Sequence, residues 1–184
     1  MTPRAGLCYR YRGVWIMFTR ALCALLLAGG LAAPAAAQPQ TVLLVRHAER
    51  ADSAPGMSPT MAADPDLSDA GRARAESLAA ALKDASITAI YATEFKRTQQ
   101  TAAPLAKALG LTVTIVPSKS AAPLIKQIQS SKGNVLVIGH SNTVPDIIKG
   151  LGVTTAVTIA DDEFDNMFLV SRGPDPSLLR LRYR

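Results

Sequence analysis

The residues of this sequence best suited to chemistry are its two histidines and the arginines that accompany them. His47 directly follows Arg46 at the end of the apolar run 41–45, and His140 follows the apolar run 134–138 after a single glycine. Apolar runs without polar interruptions are typical of central parallel strands that are buried on both faces. Since ligands bind at the carboxyl ends of such strands, we predict that both histidines line one crevice.

A third apolar run, 87–91, is followed by Arg97, which falls in the first turn of a predicted helix. The N-terminus of a helix favours anions, and a planar guanidinium group binds two phosphate oxygens at once. Arg46, at the end of a buried strand, needs an anion or a carboxylate to satisfy its donors. We predict a site for a phosphoryl group, in which the two arginine charges keep His47 neutral and therefore nucleophilic.

The elements that must position these residues alternate between strand and helix, which predicts an α/β fold. We expect a three-layer α/β/α sandwich with a mostly parallel central sheet and a C-terminal hairpin. The predicted strands are 41–45, 87–91, 111–116 and 134–138, with hairpin strands at 167–170 and 178–183. The predicted helices are one that begins at Ser68 and continues through Leu82, followed by 96–109, 121–129 and 144–149.

A long loop, residues 50–66, separates the first predicted strand from the first helix. It contains three prolines among small and acidic residues, and we predict no regular element in it. Because it follows a predicted catalytic strand, it is suited to be a lid or a substrate-specificity loop. A mobile surface insertion fits the same composition.

Residues 1–37 have the pattern of a secretory signal peptide, with four arginines before the apolar run 21–33 and small residues at the cleavage position. The apolar run is shorter than the ~20 residues that span a bilayer. We therefore expect cleavage after Ala37, no stable membrane anchor, and a periplasmic or secreted protein. Met17 is an alternative start of the chain. Residues 38–184 are then enough for one stable domain.

The leader also accounts for most of the net charge. It holds four of the 20 basic residues and none of the 14 acidic ones, so the rest of the chain carries +2 rather than +6. No basic patch with interleaved aromatic residues remains, and we expect no nucleic-acid partner. Both cysteines, Cys8 and Cys23, lie in the leader, which removes disulfide and thiol chemistry from the mature domain.

Four segments together resemble the histidine phosphatase superfamily, also called the phosphoglycerate mutase-like family. They are Arg46-His47-Ala48-Glu49, residues 67–71, residues 91–102 around Arg97, and Gly139-His140-Ser141-Asn142. Their order and spacing cover essentially all of the mature chain, and its short length is most similar to the single-domain bacterial branch.

The resemblance implies a role for each residue of the predicted site. His47 would be the nucleophile that becomes phosphohistidine, which water then hydrolyses. Arg46, Arg97 and His140 would form the phosphate pocket, and a backbone N–H near Ser141 would add a donor. Members of the family use no metal, and the sequence has no metal-ligand spacing, so we expect no cofactor.

The sequence departs from the family pattern at the general acid, and also at Ala48, where many members carry glycine. Several members place a glutamate between the second arginine and the second histidine, but no Asp or Glu lies between Arg97 and His140. Another group must therefore protonate the leaving group, unless that group needs no proton. The candidates, in order of preference, are Glu49 as a catalytic residue, then Asp52, the acidic cluster 161–165, and Glu94.

We therefore predict an exported, metal-independent phosphatase that acts on a small phosphorylated substrate or a phosphorylated envelope component. Two alternatives stay open. The missing acid also fits a module that binds a phospho-ligand with little or no turnover. The same pocket would serve a mutase or a hydrolase of phosphoanhydrides, and the sequence does not name the substrate.

Overall fold

A computed structural model describes residues 40–53 and 64–183 of the chain. The predicted signal peptide, with its cleavage site and the alternative start at Met17, lies outside the described residues. The middle of the predicted loop, residues 54–63, lies outside them as well.

Within residues 40–53 and 64–183, six strands form one sheet, with the order β3-β2-β4-β1-β5-β6. The bounds are β1 Thr41–Arg46, β2 Ile87–Ala92, β3 Val113–Ile115, β4 Asn134–Gly139, β5 Asn166–Ser171 and β6 Leu178–Arg182. The first four strands pair in parallel, whereas β5 and β6 run antiparallel to their neighbours. The mostly parallel sheet and the C-terminal hairpin are therefore confirmed.

In the described residues, four α-helices connect the strands: α1 Asp69–Leu82, α2 Lys96–Leu109, α3 Ala121–Ser130 and α4 Thr143–Gly150. Helix α1 begins where predicted, because the Ser68 hydroxyl accepts a hydrogen bond from Gly71 N at 3.0 Å and caps the first turn. Helix α2 ends at Gly110, whose φ of 65° is the left-handed conformation of a C-terminal cap. In the described part of the chain, no helix combines the length and apolarity needed to cross a membrane.

Helices cover both faces of the sheet, since successive side chains of a strand point to opposite faces. Val42 and Leu44 of β1 belong to a buried cluster with residues of α3 and α4. Leu43 and Val45 belong to a second cluster with residues of α1 and α2. This arrangement explains the uninterrupted apolar sequence of β1, and it confirms the three-layer sandwich.

The structure differs from the prediction in two short segments. β3 starts at Val113 rather than at 111, because Leu111 N donates to Ala106 O and so completes the end of helix α2. The predicted irregular loop begins with a 3-10 helix, Ala51–Ser53. This turn is held at its start by the bond from Ala51 N to Asp66 O (2.9 Å).

The carboxyl ends of three parallel strands meet at one edge of the sheet. Arg46 is paired with Gly139, and Ala92 with Ile138. Beyond the last pair, His47 N donates to Gly139 O at 2.9 Å. The residue after β1 therefore lies beside the residue after β4, which is His140.

Gly71 allows helix α1 to approach the segment that follows His47. A Cβ atom at this position would overlap the backbone carbonyl oxygen of Glu49. The same carbonyl accepts a hydrogen bond from Ser68 N at 2.9 Å, so it cannot move without loss of the helix start. The glycine is therefore required for packing, although alanine is the better helix former by about 1 kcal/mol.

We expect Gly71→Ala to lower the free energy of unfolding by about 1–2 kcal/mol, because overpacking typically costs about 1–3 kcal/mol and exceeds the gain in helix propensity. Urea unfolding monitored by circular dichroism measures the change. Gly173→Ala is the matched control, since nothing lies within 4 Å of its Cβ position, and it should change stability by less than ~0.5 kcal/mol. Equal stability of both variants would contradict the proposed steric role of Gly71.

Candidate active site

The two histidines lie together at the carboxyl edge of the sheet. Their ring centroids are 5.3 Å apart, with an angle of 64° between the planes. Arg97 Nη2 lies 3.4 Å from His140 Nδ1, and Arg46 is the residue directly before His47. His47 and His140 are only 4% and 8% exposed. The structure therefore places these four residues around one crevice, as predicted.

Arg46 is held by the backbone of the segment that precedes β5. Its Nη1 donates to Ala160 O (2.8 Å) and Asp161 O (2.9 Å), and its guanidinium carbon lies 4.2 Å from the centre of the Phe164 ring. We had expected an anion or a carboxylate to satisfy this arginine. Instead, backbone carbonyls of the loop before β5 accept some of the hydrogen bonds of Arg46. Its Nε is buried without a hydrogen-bond partner.

Arg97 lies on the other side of the crevice, in the first turn of α2. Its guanidinium carbon lies 4.2 Å from the centre of the Phe95 ring, and its buried Nε also has no hydrogen-bond partner. Its Nη1 is 3.4 Å from Asp64 Oδ1, so this arginine already has a carboxylate at its edge. Two arginines with unused buried donors provide a site that attracts an anion.

The hydrogen bonds of His47 indicate which of its ring nitrogens carries the proton. Nδ1 lies 2.8 Å from the backbone oxygen of Ala48. Since a carbonyl only accepts, Nδ1 must donate, which leaves the lone pair on Nε2. Burial lowers the pKa of His47 to about 3; the bond to Ala48 opposes this shift, and the charges of His140, Arg97 and Arg46 add to it. We predicted that the two arginines keep His47 neutral. Burial is instead the main cause of its low pKa, and the charges of the arginines are secondary.

His140 carries its proton on the opposite ring nitrogen. Its Nδ1 faces the guanidinium of Arg97, which only donates, so Nε2 must be the N–H that lies 3.0 Å from Thr93 Oγ1. Thr93 in turn lies 2.9 Å from Thr98 Oγ1, which donates to Phe95 O at 2.7 Å. Burial, followed by the charge of Arg97, lowers the pKa of His140 to about 4.

Three threonines that the sequence did not single out support the histidines. Besides Thr93 and Thr98, Thr101 accepts a hydrogen bond from Ala48 N (3.0 Å) and donates to Arg97 O (2.7 Å). Thr98 and Thr101 are fully buried. Their spacing of three on a helix was a usable signal, because buried hydroxyl groups on one helix face need specific partners.

The carboxylates proposed as proton donors are mostly bound to basic residues. Glu49 accepts from Arg74 through both oxygens, at 2.6–2.9 Å, and so lies in an ion pair with α1 rather than against either histidine. Asp52 pairs with Arg50. In the acidic cluster, Glu163 pairs with Arg180 and Arg182, and Asp165 with Arg182.

Two acids of the loops lie nearer to the second histidine. Glu94 hydrogen-bonds Ser118 N at 2.7 Å. Burial raises the pKa of Glu94. Hydrogen bonds from its own backbone and from Ser118, together with the charge of His140, lower the pKa by more than burial raises it, so the net shift is downward. Asp64, which the sequence did not single out, bonds to Arg97. A lone Asp near the end of a Pro-rich loop offered no signal for that contact.

Ser141 lies half-buried in the turn between β4 and α4. The turn is closed by the hydrogen bond from His140 N to Thr143 Oγ1 at 2.9 Å. The contribution of Ser141 to phosphate binding stays a prediction. Among residues 40–53 and 64–183, no group of three or more His, Cys, Asp and Glu side chains is arranged to hold a metal ion.

Comparisons with known proteins give the same fold. A proposed alpha-ribazole-5′-P phosphatase from Escherichia coli superposes with a TM-score of 0.65 at 16% identity, over 78% of this chain and 96% of that one. The protein histidine phosphatase SixA complexed with tungstate gives 0.59 at 18% identity, over 78% and 97%. The mycobacterial glucosyl-3-phosphoglycerate phosphatase gives 0.57 at 14% identity, over 73% and 91%. No curated protein is similar enough in sequence to count as a match.

A family model described as histidine phosphatase superfamily (branch 1) matches residues 42–118. The match runs from β1 to just beyond β3 and contains Arg46, His47 and Arg97. His140 lies beyond it, and the pairing of β4 with β1 supplies that residue to the same pocket. Over residues 42–118 the chain is thus similar to the histidine phosphatase superfamily, and it shares the fold of solved phosphatases.

Proposed function

We propose that the protein is an exported phosphatase that hydrolyses a phosphomonoester through a phosphohistidine intermediate on His47, without a metal ion. The observation that carries the proposal is a neutral, buried imidazole with its lone pair on Nε2, 5.3 Å from a second imidazole and flanked by two arginines with unused donors. The family and its structural neighbours, which are phosphatases, support phosphatase activity.

The arginines supply the positive charge that phosphoryl transfer needs. As Nε2 of His47 attacks phosphorus, negative charge is spread over the equatorial oxygens of the phosphoryl group. Arg46 and Arg97 are fixed by backbone carbonyls and by aromatic rings, so they need little reorganisation to stabilise that charge. Preorganised donors of this kind can contribute about 3 kcal/mol each, and the proposal therefore assigns no task to a metal.

Nδ1–H of His47 keeps its hydrogen bond to Ala48 O during attack. The positive charge that develops on the ring is then shared with a carbonyl dipole. Water hydrolyses the phosphohistidine in the second step and restores neutral His47. A small phosphorylated molecule or a phosphorylated envelope component is the substrate class we propose, since the leader predicts export.

His47→Ala should reduce kcat by about 10³-fold or more, because removal of a nucleophile leaves only the binding contribution to the rate. Release of inorganic phosphate from a panel of phosphomonoesters, with and without EDTA, measures the change. The parent should retain its rate in EDTA and should form a labelled phosphohistidine when quenched in alkali during turnover.

Thermal melting of His47→Ala serves as the control for folding. A variant that hydrolyses the panel as fast as the parent would exclude His47 as the nucleophile. A parent that binds phosphate tightly but turns over no substrate would identify a binding module instead. Transfer of phosphate within a bisphosphorylated sugar would identify a mutase.

The two histidines should remain neutral, in opposite tautomers, far below the pKa of about 6.5 of an unfolded histidine. Since the chain holds only two histidines, ¹⁵N spectra of the histidine rings measure both directly. We expect Nδ1–H for His47, Nε2–H for His140, and protonation only near pH 3 and pH 4. Because the folded protein binds fewer protons than the unfolded chain, stability should fall as the pH decreases from about 6.5 toward 4.

Thr93→Val and Thr93→Ser form a matched pair for the tautomer of His140. Valine removes the acceptor of Nε2–H while Arg97 still favours a lone pair on Nδ1, so the population of the Nε2–H tautomer of His140 should decrease but remain the larger, whereas serine should restore the parent spectrum. Neither substitution should change the tautomer of His47. Doubly protonated rings at about pH 6 in the parent would contradict the assignment.

Export can be tested by N-terminal sequencing of the protein recovered from the periplasm or the medium of a bacterial host. Cleavage after Ala37 should leave Gln38 as the first residue. An uncleaved protein retained in the membrane would show that the leader acts as an anchor, and a protein confined to the cytoplasm would contradict export.

A further inference from the structure

We propose that Asp64 donates the proton to the leaving group. This inference rests on the proposed phosphatase function and names the general acid that the segment between Arg97 and His140 does not contain. Asp64 lies at the described end of the long loop, directly before the segment that leads into helix α1.

Asp64 is anchored at the edge of the phosphate pocket. Its two carboxylate oxygens accept from Lys96 N at 3.1 and 2.9 Å, and Oδ1 lies 3.4 Å from Arg97 Nη1. The other terminal nitrogen of Arg97 lies 3.4 Å from His140 Nδ1. One guanidinium group therefore separates the carboxylate from the second histidine.

Neighbouring residues hold Asp64 in this place. Asp66 accepts from Gln100 Nε2 at 2.9 Å, and Gln100 Oε1 accepts from Leu67 N at 2.8 Å. The end of the loop is thus attached to the first two turns of α2, the helix that carries Arg97. A carboxylate held on the same helix as a phosphate-binding arginine keeps a fixed position relative to the bound phosphate.

The position also suits the direction of the reaction. His47 is 4% exposed, so an in-line attack from this buried side directs the leaving oxygen toward solvent. The side chain of Asp64 is 33% exposed, so it contacts solvent as well as Arg97. Asp64 contacts its arginine through one oxygen at 3.4 Å, whereas Glu49 is bound through both oxygens to Arg74 at 2.6–2.9 Å, so proton donation by Glu49 would require the tighter ion pair to break.

The substrate itself can bring the proton that Asp64 passes on. A phosphomonoester carries a proton readily, because its second ionisation lies near pH 6. A phosphate bound at Arg97 would lie next to the Asp64 carboxylate, so this proton can move from a phosphate oxygen to the carboxylate.

The step is balanced as follows. The lone pair of His47 Nε2 forms the N–P bond, and the P–O bond to the leaving group breaks with its electron pair on oxygen. That oxygen takes the proton of Asp64 and departs as an alcohol. Water then attacks phosphorus and gives a proton back to the Asp64 carboxylate, while the N–P bond breaks with its pair on Nε2 and inorganic phosphate is released.

Asp64→Asn tests the proposal through its dependence on the leaving group. Glycerol phosphate releases an alkoxide that needs a proton, whereas p-nitrophenyl phosphate releases a stable anion that does not. We expect kcat to fall by about 10²–10⁴-fold for glycerol phosphate and by less than ~10-fold for p-nitrophenyl phosphate. Tungstate should bind the variant at least as tightly as the parent, because the competing carboxylate is gone.

Asp69→Asn is the matched control, since Asp69 is an exposed acid at the start of α1 that pairs with Arg72 rather than with Arg97. It should leave the ratio of the two rates unchanged. An equal loss on both substrates in Asp64→Asn would assign Asp64 a positioning role and overturn the proposal. A lower KM with unchanged kcat on both would show that Asp64 only competes for Arg97, which overturns it as well.

A parent without activity on either ester would refute the proposed function itself, and the proton-donor role with it. This outcome is distinct from the other two, because it is observed before any variant is measured.

Discussion

The pairing of β1 with β4 is the constraint on which the site depends. It sets Arg46 opposite Gly139 and continues in the bond from His47 N to Gly139 O, so two histidines 93 positions apart become neighbours. A shift of β1 by one residue would turn Arg46 to the opposite face of the sheet and move His47 out of register with His140. The core of the protein thus fixes the distance between the imidazoles.

Burial gives those imidazoles their chemistry. Removal from water lowers the pKa of both rings more than any single neighbouring charge does, and the same burial leaves guanidinium nitrogens unpaired on either side. A phosphate dianion satisfies these donors and neutralises the excess charge at once. The carbonyl oxygens of the loop before β5 and the ring of Phe164 keep Arg46 in place while no ligand is present.

Much of this could be predicted from the sequence, because strand ends are encoded locally. The apolar runs located β1, β2 and β4, and the residue types at their ends identified Arg46, His47, Arg97 and His140. The partners of polar side chains were not accessible in this way. Glu49 is close to His47 in sequence, yet its carboxylate pairs with Arg74, 25 positions away and on another element. The position of Glu49 in the sequence placed it near His47, but it did not predict which way the side chain of Glu49 points.

The first turns of α2 contact both the surroundings of the two histidines and the end of the long loop. Thr101 accepts from Ala48 N beside the proposed nucleophile, Thr98 supports His140 through Thr93, which precedes the helix, and Arg97 faces the proposed phosphate site. The same turns also bind the end of the loop through Asp64 and Asp66. Since one helix supports both histidines and the loop end, substitutions elsewhere in the loop should leave undisturbed the groups that we propose transfer the phosphoryl group.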